Sequence, residues 1–227
     1  MHRSIKVRAL PTLAFGAALT AVCAGLTACG TAEPVAYSAI ASSAQLAPNT
    51  QGDAARIPFR YSAASDLRSY NRAIIEPVAI YRGPDHQFGD LSESDKAALA
   101  AYMQAQFAER LRTRFAIASD PAPNTLRVRL TLTGAATSTP VLAPLSRVDL
   151  AGGIYNGVQS LRGGEGTLTG AVIYAVEIYD APSNRLLRAF VSKQYPNALN
   201  IMASMGSLAA ARAGIEKGAD ALIAQLR

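Results

Sequence analysis

Leu126-Arg127-Val128-Arg129-Leu130-Thr131-Leu132-Thr133 decides the fold. Apolar and polar residues alternate through the whole run, the period of an extended strand whose successive side chains point to opposite faces. The Leu/Val face belongs to a core and the Arg/Thr face is polar, so the strand is half-buried. Asp120-Pro121-Ala122-Pro123-Asn124 breaks the chain before it. Ahead of that break, Leu99, Met103, Phe107, Leu111 and Phe115 recur every fourth residue with Tyr102 beside them, one face of a helix. Ser92-Glu93-Ser94-Asp95 reads as the capping box that opens the helix. Arg110, Arg112 and Arg114 load its last turns, where cations favour the helix dipole. This phase puts Phe107 in the core and Gln104 on the exposed side. Earlier still, Ala73-Ile74-Ile75-Glu76-Pro77-Val78-Ala79-Ile80-Tyr81 predicts a strand that is at an edge or bulged at Pro77, which lacks an amide donor. Strand, helix, strand predicts a right-handed crossover if the two strands are parallel.

Downstream, residues 134–166 show no steady period, although the stretch is too long for a structureless loop in a compact domain. Val141, Leu142, Leu145, Val148, Leu150, Ile154 and Tyr155 lie there among Pro and Gly. We read them either as an irregular core piece or as a partner surface, exposed alone and covered by a protein or membrane. Order returns with Leu168, Gly170, Val172, Tyr174, Val176 and Ile178 on one face of a long strand. The turn Ala181-Pro182-Ser183-Asn184 leads to a hairpin partner over residues 185–195. A C-terminal helix follows, with Ile215, Ala219, Leu222, Ile223 and Leu226 on its inner face. Gly206, Gly214 and Gly218 either weaken this helix or let another element approach closely. The expected fold is α+β: a two-layer sandwich, with a mixed sheet of about four strands in the order β-α-β-loop-β-β-α packed against two helices.

The first eight residues carry Arg3, Lys6 and Arg8 and no acid, and an apolar run from Ala9 to Leu26 follows. A basic head and a short apolar core read as an export signal. The run is diluted by Gly, Pro and Thr and is a poor permanent transmembrane helix. It ends in Leu26-Thr27-Ala28-Cys29, a branched apolar residue and two small ones before a cysteine. This pattern resembles the bacterial lipobox, in which the thiol takes a diacylglycerol and cleavage precedes the cysteine. The expected organisation is a signal peptide over 1–28, a lipid-anchored flexible tether over 29–58 and one domain over 59–227. The tether is rich in Ala, Ser, Pro, Thr and Gln and would span roughly 30 Å if fully flexible. Gly30 after the cysteine, where an aspartate would retain many enteric lipoproteins in the inner membrane, points to an outer-membrane anchor facing the periplasm.

Four features together, the lipobox, Glu76-Pro77-Val78, the run from Pro121 to Arg129, and the strand closing in Val176-Glu177-Ile178-Tyr179-Asp180, resemble the bacterial lipoproteins grouped as domain of unknown function 3313. The likeness covers roughly residues 60–226. This chain has Ser183 or Asn184 where the turn of that family usually has Gly. The resemblance implies a fold and brings no catalytic residues with it.

Composition narrows the chemistry. The precursor has 22 basic and 16 acidic residues, and loss of the three N-terminal bases leaves 19 against 16. That balance and the compartment argue against nucleic acid as a partner. With Cys23 removed and Cys29 acylated, no thiol remains for a disulfide, a zinc site or a nucleophile. His86 is then the lone histidine, a loop residue beside Asp85, so neither a metal site nor a Ser-His-Asp triad is expected. No cofactor is expected either. Arg127 and Arg129, two apart on one strand face, form a candidate anion patch. Glu177 sits mid-strand, where burial without a partner would be costly. The expected function is a non-catalytic, periplasm-facing binding or assembly module with an envelope protein partner. The rival expectation is a hydrolase or transferase acting on an envelope polymer or lipid, built on carboxylates such as Asp85, Asp90 and Glu177 with Arg.

Overall fold

The computed structural model describes residues 32–137, 170–196 and 207–226. Cys29 and the apolar stretch from Val141 to Tyr155 therefore lie outside the described residues. Within them the chain forms β1 (Ala47–Pro48), β2 (Phe59–Ser62), β3 (Arg72–Ile75), β4 (Ala79–Ile80), α1 (Glu93–Arg112), β5 (Ala116–Ile117), β6 (Thr125–Ala136), β7 (Ala171–Asp180), β8 (Leu186–Gln194) and α2 (Ala209–Gln225).

The alternating run becomes the centre of the sheet. Strand order is β1-β2-β8-β7-β6-β3-β5, with β4 paired to β6 further along the same edge as β3. Strands β3, β4 and β5 join in parallel and the remaining pairs are antiparallel, so the sheet is mixed and the β3-α1-β6 unit is a parallel crossover. The fold is α+β as expected, but the sheet has 8 strands rather than about four. The additions, β1, β2 and β5, are two to four residues long, too short to show a period in sequence. Pro77 acts as expected, at a one-residue bulge on the edge side of β6, where the pairing passes from Ile75↔Val128 to Ala79↔Thr131. It splits one run into β3 and β4, and the Glu76 amide still reaches the Val128 carbonyl at 3.0 Å.

Both helices pack against each other and against one face of the sheet. Ser92 caps α1 by accepting the Asp95 amide at 3.1 Å, and Leu99, Met103, Phe107 and Leu111 are fully buried. They meet Leu126, Val128, Leu130 and Leu132 of β6 and Val172, Tyr174, Val176 and Ile178 of β7 in one core. Phe107 meets Tyr174 edge-on with ring centroids 5.5 Å apart. Gln104 departs from expectation: it is only partly exposed, and its Oε1 accepts the Val78 amide at 2.8 Å, fixing β4 to the helix. In α2, close approach explains the glycines. A side chain at Gly214 would meet the Gln194 carbonyl oxygen at 2.8 Å, and one at Gly218 would strike the Tyr174 hydroxyl. In the hairpin turn Asn184 takes φ +57°, the left-handed conformation that suits Gly or Asn.

The segment expected to be a tether is the larger correction. From Pro34 to Pro58 it is folded: its first part lies on the second face of the sheet, and Ile57 at its end joins the helix-side core. Tyr37 is 1% exposed and Ile40 8%, and they cluster with Tyr81, Ile173, Ala175 and Val191. Strand β1 then pairs with β2, which pairs with β8. The physical reason is that β7 presents Ile173 and Ala175, beside the buried Glu177, on the face opposite the helices and needs a cover there. A few separated apolar residues supply it without producing a sequence period.

Candidate functional site

The polar residues that the sequence singled out converge on this second face. On β6, Arg127 and Arg129 point away from the helices, opposite Tyr179 and Glu177 on β7. Register with β3 sets Arg127 beside Ile74, which brings Glu76 next to both guanidinium groups. Glu76 Oε2 accepts from Arg129 Nε at 2.7 Å, and its Oε1 lies 3.3 Å from Arg127 Nε. Both guanidinium groups lie near the Tyr179 ring, at 5.3 Å and 5.6 Å from its centroid. Glu177, 2% exposed, lies 3.9 Å from Arg129 Nη1 through Oε2, and its Oε1 accepts the Ser42 amide at 2.6 Å. Two carboxylates and two guanidinium groups leave the cluster formally neutral. The Glu76 carboxylate raises the Arg129 pKa further, and burial together with the Glu177 charge pushes the Tyr179 phenol up to about 12. The expected anion patch is thus brought together, but Glu76 already occupies the place a bound anion would take.

A second set of bonds ties down the beginning of the covering segment. Tyr37, at φ +48°, donates through its hydroxyl to Gln87 Oε1 at 2.6 Å, and burial raises its pKa. The Gln87 amide donates to the Glu33 carbonyl at 2.6 Å, and the Glu33 carboxylate pairs with Lys193 at 3.1 Å. Asp85 accepts from the Tyr81 hydroxyl at 2.6 Å and from the Ser38 amide at 2.9 Å. Asp85 and Glu177, two of the carboxylates open to catalysis on sequence grounds, therefore each hold the covering segment. Sequence reasoning missed Ser38 and Ser42 as their partners, and Tyr37 and Glu33 as further anchors of the segment through Gln87 and Lys193. Only Tyr37, an aromatic in an otherwise small-residue stretch, carried a signal.

Beside these bonds is a cleft of about 610 Å³ lined by Ala32, His86, Phe88, Asp90, Ser92 and Ile173, among others. His86 is exposed, with its ring 5.7 Å from that of Phe88. Among the described residues no group of three His, Cys, Asp or Glu could hold a metal ion, and no helix is long and apolar enough to cross a membrane.

Among the described residues, fold and site define an α+β unit whose mixed sheet is covered by two helices on one face and by its own N-terminal segment on the other. The chain belongs to the family described as Protein of unknown function (DUF3313), which matches residues 36–222. That match begins inside the covering segment. No curated protein matches the chain. Solved structures similar to it include two PelC dodecamers from Paraburkholderia phytofirmans. The one in space group C2 is 9% identical, with a TM-score of 0.35, covering 69% of this chain and 94% of that one. The one in space group P6 is 12% identical, with a TM-score of 0.35, covering 70% and 92%. At that score the likeness carries no argument about this chain.

Proposed function

We propose that the protein is an envelope lipoprotein, anchored by acyl chains on Cys29 in the outer membrane. Its folded part acts as a periplasm-facing binding or assembly module, not as an enzyme. The observation that carries the reading is how the acids of the second face are used. Glu76 holds Arg127 and Arg129, Glu177 holds the Ser42 amide, and Asp85 holds Tyr81 and Ser38. A catalytic carboxylate must be free to exchange a proton with substrate within hydrogen-bond reach; these are engaged in closing the fold. The lipobox supports the anchor, and the domain that follows it has the size of an accessory module.

Affinity purification of the detergent-extracted, lipidated protein tests the reading. The expected result is an envelope protein that co-purifies at fixed stoichiometry and survives gel filtration, with no turnover of envelope polymers or lipids by the purified chain. A chain that purifies alone and hydrolyses such a substrate, with loss of that activity on Asp90→Asn, would overturn it.

A further inference from the structure

One end of the sheet gathers the first described residue, the loop after β4 and two strand termini. Ala32 lines the cleft with His86 and Asp90 of that loop, Ala136 at the end of β6 and Ala171 at the start of β7. Glu33 is fastened there twice, through its carbonyl to Gln87 and its carboxylate to Lys193. Cys29 precedes Ala32 by three residues, which span at most about 11 Å when fully extended. The turn at Pro182 lies at the opposite end of β7, whose ten residues extend roughly 30 Å.

We infer that this end of the domain, to which the 83–90 loop belongs, rests on the lipid headgroup layer, while the Ala181–Asn184 turn is held away from it. The inference rests on the lipoprotein reading and adds an orientation to it. Acyl chains on Cys29 sit in the hydrocarbon core, so the thiol lies at the interface. Each polar interfacial region is only about 5–8 Å thick, from total and hydrocarbon thicknesses of roughly 40–45 and 30 Å. A reach of about 11 Å leaves the cleft end no room to turn away from the bilayer. The contact is imposed by the short attachment and not by charge. Residues 82–96 carry Asp85, Asp90, Glu93 and Asp95 against Arg82 and Lys96, so this loop offers anionic lipid no net positive charge. The partner surface is a zwitterionic headgroup layer, and the distal turn is the part presented to the periplasm.

The test uses the full-length lipidated protein in phosphatidylcholine vesicles doped with a headgroup nitroxide lipid. His86→Cys and Pro182→Cys, both at exposed loop positions, are labelled separately with a thiol-reactive fluorophore. Quenching at position 86 should exceed that at position 182 severalfold, and replacing a third of the lipid with phosphatidylglycerol should not increase it. Equal quenching at both positions in protein that floats with the vesicles would overturn the orientation alone. Protein that does not float and carries no acyl mass on Cys29 would overturn the lipoprotein reading, and the orientation with it. Unchanged melting temperatures of both variants exclude misfolding as the cause of either result.

Discussion

The amide of Ser42 donates to the Glu177 carboxylate at 2.6 Å across 135 residues of sequence. Glu177 lies in the middle of β7, 2% exposed, where an unpaired carboxylate would be prohibitive. The bond stabilises the acid and fastens the covering segment in one contact. Hydrogen bonds to a charged group contribute about 1.5–3 kcal/mol. Glu177→Ala should therefore cost stability in that range in a denaturant titration and speed proteolysis within residues 34–58. Wild-type stability and cleavage in the variant would mean the contact holds nothing.

The two sides of α1 should not respond alike. Phe107→Ala removes a fully buried ring and should cost about 3–5 kcal/mol. Gln104→Ala frees the partly buried Val78 amide and should cost about 1 kcal/mol, more than an exposed position would. Chemical denaturation of both variants checks the order. An effect of Gln104→Ala indistinguishable from zero would place β4 away from the helix.

The α1 stripe and the β6 alternation were legible because packing against one neighbour imposes a period on the chain. Leu99 to Leu111 and Leu126 to Leu132 show it over several turns or pleats. Strands β1, β2 and β5 were not legible, since two to four residues carry no period. Arg127 and Arg129 could be placed on one face from their spacing. Their pairing with Glu76 depends on the parallel register of β3 against β6, which no local pattern encodes. Tyr37 and Ile40 look like isolated apolar residues in a small-residue linker until the bare face of β7 calls for a cover.

The β7–β8 turn should be acid-sensitive. The Ser183 hydroxyl, followed by the Ser183 amide and the Tyr70 hydroxyl, holds the Asp180 carboxyl below its ordinary pKa. A carboxylate depressed on folding contributes stability that is present above the unfolded value and lost as pH falls through the folded one. The melting-temperature gap between wild type and Asp180→Asn should thus be open at neutral pH and close in acid below the usual carboxylate range. A gap independent of pH would contradict the assignment.

The anchor makes a chemical prediction. Intact-mass measurement of membrane-extracted protein should show acylation at residue 29, and Cys29→Ser should leave an uncleaved, unlipidated precursor. A non-acylated mature chain starting further along would remove the anchor from the account.

Everything proposed for this protein depends on the segment after Cys29 being part of the fold and not a tether, and hydrogen exchange on the full chain reads that directly. The Ser42 and Asn49 amides, bonded to Glu177 and to the Pro58 carbonyl at 2.8 Å, should be protected nearly as well as those of β7. Glu177→Ala should release Ser42, while β7 loses protection only by the fall in global stability. Exchange throughout residues 34–58 at the rate of an unstructured peptide would contradict the account.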